Sequence, residues 1–227
     1  MNRNSSFNIS EYGSEGLGKL GVNLVGYDLI EAEIKPGEHL CSFYENKTDQ
    51  FQIVIPFIAE GLVKKEKCLY ITDENTVGEI KAGLLIHGID VEECLKTGQF
   101  NILTARESYL KLGRFILDGM ISQIDSFVDR AVDEGYSGTR VAGEVTWLIR
   151  ELSSLEEFLE YEKTLNRVFK KRPVKLLCQY NSKKLFGNVI LGALKTHARV
   201  LIGLDLYKNA YYERTKPEGR RMKAKFF

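Results

Sequence analysis

The apolar positions of this chain come in short runs that alternate with longer segments of helical spacing. Short continuous apolar runs are typical of strands buried on both faces, and they lie at residues 39–43, 67–72, 100–104, 140–144, 174–180 and 199–204. Apolar residues three and four apart predict helices at 49–64, 75–87, 90–95, 112–134, 154–171 and 186–197. Alternating strands and helices predict an α/β fold with a mostly parallel sheet covered by helices on both faces.

Residues at the ends of these segments predict local helix geometry. Thr48 or Asp49 can cap the first helix, and Pro56 within it predicts a kink. Ser154 followed by Glu157 matches a capping box, the reciprocal arrangement that begins many helices.

The length of 227 residues and the apolar content of 44% suit one globular α/β domain. Residues 1–20 are rich in Ser, Asn and Gly and predict a mobile tail, while 21–206 form the α/β domain. Residues 207–227 form a basic C-terminal extension, which we expect to be a solvated tail or an added hairpin.

Charge and cysteine usage narrow the function classes. A net charge of +1 gives no general attraction to nucleic acid or to a membrane surface. The first ten residues lack the apolar region of a signal peptide, and no apolar run approaches ~18 residues, so we expect no transmembrane helix. The four cysteines have no C-x-x-C spacing, which favours reduced thiols and a cytoplasmic location.

The turn between the first strand and the first helix resembles a phosphate-binding loop in its position only. Lys47 and Thr48 precede the helix as the last residues of such a loop would. Residues 44–50 contain no glycine, however, and Asp49 would repel a phosphate. This loop therefore has the place of a nucleotide site without its chemistry.

The residues that follow the strands are candidates for a binding site. Ligands of open parallel sheets bind beyond the carboxyl ends of the strands, although strand ends are also polar simply because they meet solvent. The candidates at these ends are Phe43, Tyr44, Glu144, Trp147, Gln179 and Asn181.

Glu144 lies within an apolar run, where a carboxylate needs a partner or a raised pKa. Arg140 and Arg106 are available partners. Glu144 is therefore either a site residue or half of a structural ion pair.

His39 and Cys41 are two residues apart on the first strand, so both point to the same face of the sheet. They could line a cavity, ligate a metal, form a nucleophilic dyad, or be a core histidine beside a buried thiol. A metal site needs about four ligands, and the remaining histidines and cysteines show no second ligand pair. We therefore expect no metal and no cofactor.

Several segments together resemble one known family. The matching segments are H-L-C-S-F-Y, P-F-I-A-E-G-L, E-K-C-L-Y-I-T-D-E, G-E-V-T-W, C-Q-Y-N and H-A-R-V-L-I. They resemble the MEDS domain, the methanogen and methylotroph sensory domain of the dichloromethane-responsive regulator and of some archaeal signalling proteins. The resemblance covers about residues 36–204. It implies a sensor of small organic molecules, such as simple hydrocarbon derivatives, with His39 and Cys41 as candidate contacts.

The same stretch is more distantly similar to the RecA/KaiC class of ATPases, which implies a three-layer sandwich. The sequence departs from that class because its phosphate loop is degenerate. The acid of the fourth strand is also Glu144 after Gly143, not an aspartate that closes an apolar run.

These observations predict a non-catalytic sensory domain that binds a small organic ligand where an ATPase holds its nucleotide. His39, Cys41 and Tyr44 would line the site, with the other candidates around it, and a partner protein or self-association would relay binding. We expect no membrane or nucleic-acid partner. The alternatives are a degenerate nucleotide-binding protein and a thiol- or metal-dependent enzyme that uses Cys41 and His39.

Overall fold

The computed structural model describes residues 34–213, so the predicted tail at 1–20 and most of the basic extension lie outside the described residues. Its centre is a seven-stranded sheet in the order β3-β2-β4-β5-β1-β6-β7. The strands are β1 (His39–Tyr44), β2 (Lys67–Thr72), β3 (Phe100–Thr104), β4 (Thr139–Glu144), β5 (Val174–Asn181), β6 (Arg199–Ile202) and β7 (Asp205–Lys208).

Helices connect the parallel strands. They are α1 (Lys47–Val63), α2 (Val77–Ile86), α3 (Val91–Lys96), α4 (Leu117–Asp133), α5 (Leu155–Val168) and α6 (Gly187–Thr196), with short 3-10 turns at Thr146–Ile149 and Leu152–Ser154. Strands β1 to β6 pair in parallel and only β7 pairs antiparallel among the described strands. The predicted α/β fold with a mostly parallel sheet is confirmed.

The strand register brings the carboxyl ends of the central strands together. Tyr44 of β1 lies opposite Asn181 of β5, and Gln179 of β5 lies opposite Glu144 of β4. Four of the predicted site residues are therefore neighbours at one edge of the sheet.

The pleat of the strands separates two apolar layers. Leu40 and Leu177 pack with helices α1 to α3, on what we call the α1 face. Cys41 and Cys178, one residue further along each strand, belong to the layer under α4, α5 and α6, which we call the α5 face. Both faces of the sheet are thus covered, which explains why the strands show continuous apolar runs.

Two predicted helix caps differ from the structure, and the helix predicted from residue 112 begins at Leu117. Helix α1 is capped by Asn46, whose side chain accepts a hydrogen bond from the backbone of Asp49, and the helix continues through Pro56. Ser154 makes no side-chain cap at α5. The Glu157 carboxylate instead accepts a hydrogen bond at 2.9 Å from the backbone N–H of Leu117, at the start of α4.

The sheet is one strand longer than predicted. Residues 203 and 204 form a turn in which Gly203 adopts a φ of 58°, and β7 then returns alongside β6. The hairpin crosses the predicted boundary at residue 206, so the first residues of the basic extension belong to the sheet. Within residues 34–213, no helix is both long and apolar enough to cross a bilayer.

Candidate functional site

The structure divides the eight predicted site residues between the two faces of the sheet. His39, Cys41, Phe43 and Trp147 lie on the α5 face, among its apolar layer. Tyr44, Glu144, Gln179 and Asn181 lie at the carboxyl edge on the α1 face, where Gln179 contacts α1. Successive residues of a strand point to opposite faces, so Tyr44 cannot share one wall with His39 and Cys41.

Glu144 is fully buried and is held by six hydrogen-bond donors. Its Oε2 accepts from the backbone N–H groups of three successive residues, Asp73 at 2.9 Å, Glu74 at 2.6 Å and Asn75 at 3.3 Å. Its Oε1 accepts from Tyr70 Oη at 2.7 Å, Asn75 Nδ2 at 2.7 Å and Thr72 Oγ1 at 3.3 Å. Successive N–H groups stabilise an anion, so Glu144 anchors the loop between β2 and α2.

Arg140, one of the two predicted partners of Glu144, has another role. Its guanidinium pairs with Glu66 and donates a hydrogen bond at 2.8 Å to the carbonyl of Phe57. Arg140 lies four residues before Glu144, towards the amino end of the strand. Hydrogen-bond donors therefore take the place of the ion pair that the sequence suggested for Glu144.

A polar network extends from Glu144 towards β1. Asn75 Nδ2 donates to Gln50 Oε1 at 2.8 Å, and Gln50 Nε2 donates to Gln179 Oε1 at 3.0 Å. Three further buried atoms at this edge, Gln179 Nε2, Tyr44 Oη and Asn75 Oδ1, make no hydrogen bond of normal geometry within residues 34–213, although Tyr44 lies near Asn181 and Gln179 near Tyr70. Burial, with Glu144 nearby, raises the pKa of Tyr44, so its hydroxyl keeps its proton as a donor.

At the start of α1, where a nucleotide-binding protein of this fold would hold phosphate, side chains of this chain accept the hydrogen bonds of the backbone N–H groups. Asn46 Oδ1 accepts from the Asp49 N–H at 3.1 Å. The Asp49 carboxylate accepts from Asn46 Nδ2 at 2.8 Å and from the Glu45 N–H at 3.4 Å. Lys47 Nζ lies 2.5 Å from Glu79 of α2. The Asp49 carboxylate thus lies where the phosphate would bind, and Lys47, which would contact the phosphate, is paired with Glu79.

Exposed ion pairs connect the loops around this edge. Lys183 pairs with Glu45 at 2.8 Å, and Lys184 pairs with Glu74 at 2.7 Å. Both lysines follow β5, whereas the glutamates follow β1 and β2. The three loops that surround the polar network are therefore in contact.

A second polar cluster lies on the α5 face, inside the apolar layer. His39 Nε2 lies 2.9 Å from His197 Nε2 and 3.3 Å from Cys178 Sγ. Glu162 Oε2 lies 3.1 Å from His39 Nε2 and 3.0 Å from His197 Nε2. One ligand-type atom from each of the four residues lies within 4.8 Å of the others, and all four residues are buried.

The pKa directions in this cluster follow from burial and from its own charges. Burial lowers the pKa of His39, and the neighbouring His197 lowers it further. Burial opposes the charged forms of Glu162 and His197. Nevertheless the two histidines hold the pKa of Glu162 below its usual range, and Cys41 and Glu162 keep that of His197 above its usual value. Burial also raises the pKa of the Cys178 thiol.

Sequence reasoning missed Glu162 because a charged residue in an amphipathic helix usually faces solvent. The spacing of Glu162 nevertheless indicates burial, because it follows Phe158 by four residues and precedes Leu165 by three, on the buried stripe of α5. A carboxylate on the apolar stripe of a helix needs a buried partner.

Trp147 belongs to an aromatic cluster in the same layer. Its ring stacks on Tyr109 and Phe115, with centroids 5.0 Å and 5.2 Å away, and meets Phe158 edge-on at 5.5 Å. Trp147 is fully buried, so its first role is to fill the core between β4 and α5.

Comparison with known proteins identifies related chains. The transcriptional repressor DcmR of Methylorubrum extorquens is 25% identical over 161 residues, which span 70% of this chain and 58% of the repressor. A KaiC-like protein of Pyrococcus horikoshii OT3 has a similar structure, with a TM-score of 0.54 and 15% identity over 76% of this chain and 73% of that protein. This structural likeness shows a shared fold. The model of the MEDS family, the methanogen/methylotroph, DcmR sensory domain, matches residues 38–198, more than half of the sequence, and the chain therefore belongs to that family.

Proposed function

We propose that this chain is the ligand-sensing part of a regulatory protein, and that a small organic molecule binds at the carboxyl ends of β1, β4 and β5. The observation that carries the proposal is the pair of buried donors, Tyr44 Oη and Gln179 Nε2, that make no hydrogen bond of normal geometry within residues 34–213. A buried donor without an acceptor costs about 1–3 kcal/mol, which an acceptor atom of a ligand would recover.

The fold supports this position. Parallel α/β sheets bind ligands in the crevice beyond the carboxyl ends of their strands, and the KaiC-like neighbour shares this architecture. The family is described as a sensory domain, and this description supports our inference of a small organic ligand. A simple hydrocarbon derivative that carries one hydrogen-bond acceptor suits two neutral donors beside a buried carboxylate.

A ligand bound at this edge would be connected to the exposed loops through hydrogen bonds and an ion pair. A ligand that accepts from Gln179 Nε2 would sit beside the hydrogen bond that Gln179 Oε1 accepts from Gln50, and Gln50 also bonds Asn75 in the loop after β2. That loop contacts the loop after β5 through Glu74 and Lys184. A ligand that prefers one arrangement of these loops would shift their population and so alter contact with a partner protein or a second copy.

The relay to a regulatory output has support in a relative. DcmR is named as a transcriptional repressor, and the present chain spans only 58% of its length. We propose that the output of this chain likewise passes to another domain or chain. The proposal assigns no catalytic step to Cys41 or His39.

The alternative function is nucleotide binding on the same fold. It is favoured by the KaiC-like architecture and by Lys47 at the start of α1. The carboxylate of Asp49 and the pairing of Lys47 with Glu79 oppose it, because a nucleotide would have to displace both.

Calorimetry with a ligand found by thermal-shift screening separates these functions. The screen uses short alcohols, ethers and ketones, each of which carries an oxygen acceptor, and its strongest hit is titrated beside ATP and GTP. We expect binding of the organic hit and none of either nucleotide. Tyr44→Phe removes one hydroxyl and should weaken the hit about five- to tenfold, the effect of one hydrogen bond.

Tyr211→Phe is the matched control, because Tyr211 is 74% exposed and its substitution should leave the affinity unchanged. Equal affinity of Tyr44→Phe and the unaltered chain would place the ligand elsewhere. ATP binding that is lost in Lys47→Ala would overturn the sensory assignment in favour of the nucleotide function.

A further inference from the structure

The buried cluster on the α5 face brings together side chains from four separate parts of the chain. His39 comes from β1, Glu162 from α5, Cys178 from β5 and His197 from the residue after α6. Imidazole nitrogen, carboxylate oxygen and thiolate sulfur are the ligand atoms that Zn²⁺ and related divalent ions take in proteins. The cluster therefore has a complete set of four protein ligands.

The Glu162 carboxylate contacts the rings of two histidines within the apolar layer. Neither carboxylate oxygen of Glu162 has a hydrogen-bond partner that meets normal geometry within residues 34–213, although the residue is fully buried. Its Oε2 instead faces the ring nitrogens of both histidines. Buried carboxylates are normally paired, hydrogen-bonded or bound to metal.

The tautomer of His197 also suits a metal ligand. Its Nδ1 lies 2.8 Å from the carbonyl oxygen of Ala193, which can only accept, so the proton resides on Nδ1. Nε2 points at His39 and Glu162, and once it releases its proton it presents a lone pair to an ion between them. A hydrogen bond from the far ring nitrogen to a backbone carbonyl is the usual second contact of a metal-ligating histidine.

The distances agree with a compact tetrahedral site. Bonds of about 2.0–2.3 Å from zinc to nitrogen, oxygen and sulfur separate neighbouring ligand atoms by about 3.3–3.6 Å. The ligand atoms of His39, Glu162 and His197 lie 2.9–3.1 Å apart, and Cys178 Sγ lies 3.3 Å from His39 Nε2. Outward shifts of a few tenths of an ångström would place these atoms around one ion.

We propose that His39, Glu162, Cys178 and His197 bind one divalent transition-metal ion, and that Zn²⁺ is the ion that fits them best. One carboxylate, one thiolate and two neutral imidazoles carry a charge of −2, which a divalent cation neutralises within the apolar layer. On binding, the Cys178 thiol and Nε2 of His197 each release a proton to solvent, and the freed sulfur and nitrogen donate electron pairs to the metal. This site is separate from the proposed ligand edge and does not depend on it.

The proposal departs from the sequence-based expectation of no metal. Each ligand stands alone in the sequence, without a neighbouring second ligand, and only the fold brings the four together. The ion would tie β1, β5, α5 and the residue after α6 to one point, as closed four-ligand zinc sites do.

Metal analysis of the chain tests the proposal. The protein is produced in medium that contains zinc and iron salts, purified without chelator, and its metal content is measured by mass spectrometry. We expect about one metal ion for each chain and a higher thermal midpoint after Zn²⁺ is added to chelator-treated protein. Cys178→Ser and Glu162→Gln should lower the bound metal at least tenfold.

Two substitutions outside the cluster are matched controls. Cys68→Ser alters another fully buried thiol, on β2, and His87→Gln alters the third histidine of the chain. Both should keep one metal ion for each chain. Circular dichroism establishes that each compared variant is folded.

Co²⁺ added to chelator-treated protein gives a second readout if a ligand variant fails to fold. The folded, unaltered chain should show a thiolate-to-cobalt charge-transfer band, and the band should persist in Cys68→Ser. The proposal would be overturned if the protein is purified without metal, Zn²⁺ does not change its thermal midpoint and Co²⁺ does not change its absorption spectrum. Equal metal content in Cys178→Ser and the unaltered chain would also overturn it.

Discussion

The ammonium group of Lys47 lies 2.5 Å from the carboxylate of Glu79, which ties the start of α1 to the start of α2. Glu79 is held in turn by Thr76, because a reciprocal capping box joins the side chain of each residue to the backbone N–H of the other. The lysine at the phosphate-loop position therefore has a defined protein partner, which a nucleotide would have to displace.

Replacing Thr76 with alanine should lower the free energy of unfolding by about 1 kcal/mol, because the start of α2 loses its cap. Urea unfolding followed by circular dichroism measures the effect. Ser154→Ala is the control, since Ser154 precedes α5 without a side-chain cap and its loss should cost less than about 0.5 kcal/mol. Equal losses in both variants would show that the Thr76 cap contributes nothing in solution.

Replacing Glu144 with glutamine should destabilise the chain by about 3 kcal/mol. The new NH₂ group would face either three backbone N–H groups or the donors of Tyr70 and Asn75, so at least one set of donors loses its acceptor. Chemical denaturation of both proteins gives the difference. Glu60→Gln, which removes a partly exposed pair with Lys64 in α1, should cost less than about 0.5 kcal/mol. A loss below about 1 kcal/mol for Glu144→Gln would mean that the loop finds other acceptors.

The sequence predicted the strands well because each is a short apolar run with turn residues at its ends. The third strand matches residues 100–104 at both bounds. The capping box at Ser154 was wrong because its pattern is local, whereas the true partner of Glu157 is the backbone of Leu117 in another helix. Pattern reasoning detects neighbours along the chain and cannot detect such a contact.

The candidate site shows the same limit. Strand alternation already separates Tyr44 from His39 and Cys41, so the division between two faces was available from the sequence. The grouping of His39 with Glu162, Cys178 and His197 was not, because these residues meet only after β1, β5, α5 and α6 pack together. The contacts of Glu162 with the other three residues depend on that packing, and a local sequence pattern does not predict them.

Replacing Gly143 with alanine should destabilise the chain by about 1–3 kcal/mol, because its Cβ would lie 2.1 Å from Tyr109 Oη. Tyr109→Phe removes that oxygen, so the double variant should recover part of the loss, which a double-mutant cycle of unfolding free energies measures. Gly78→Ala is the control: its Cβ meets only Thr76 Oγ1 at 4.0 Å within helix α2, and it should be neutral or stabilising. Additive effects of Gly143→Ala and Tyr109→Phe would contradict the close contact.

Thiol chemistry should distinguish Cys94 from Cys68 in the folded chain. Cys94 is partly exposed, whereas Cys68 is fully buried and burial raises its pKa strongly. Burial also raises the pKa of Cys94 above its ordinary value. Because the thiolate is the reactive form, alkylation of Cys94 should rise about tenfold for each pH unit between pH 7 and 8. Peptide mapping after iodoacetamide treatment measures both rates, and Cys94→Ser identifies the signal of this thiol. Cys68 should react only after unfolding, so labelling of Cys68 as fast as Cys94 in the folded protein would show that the layer between α1 and β2 opens readily.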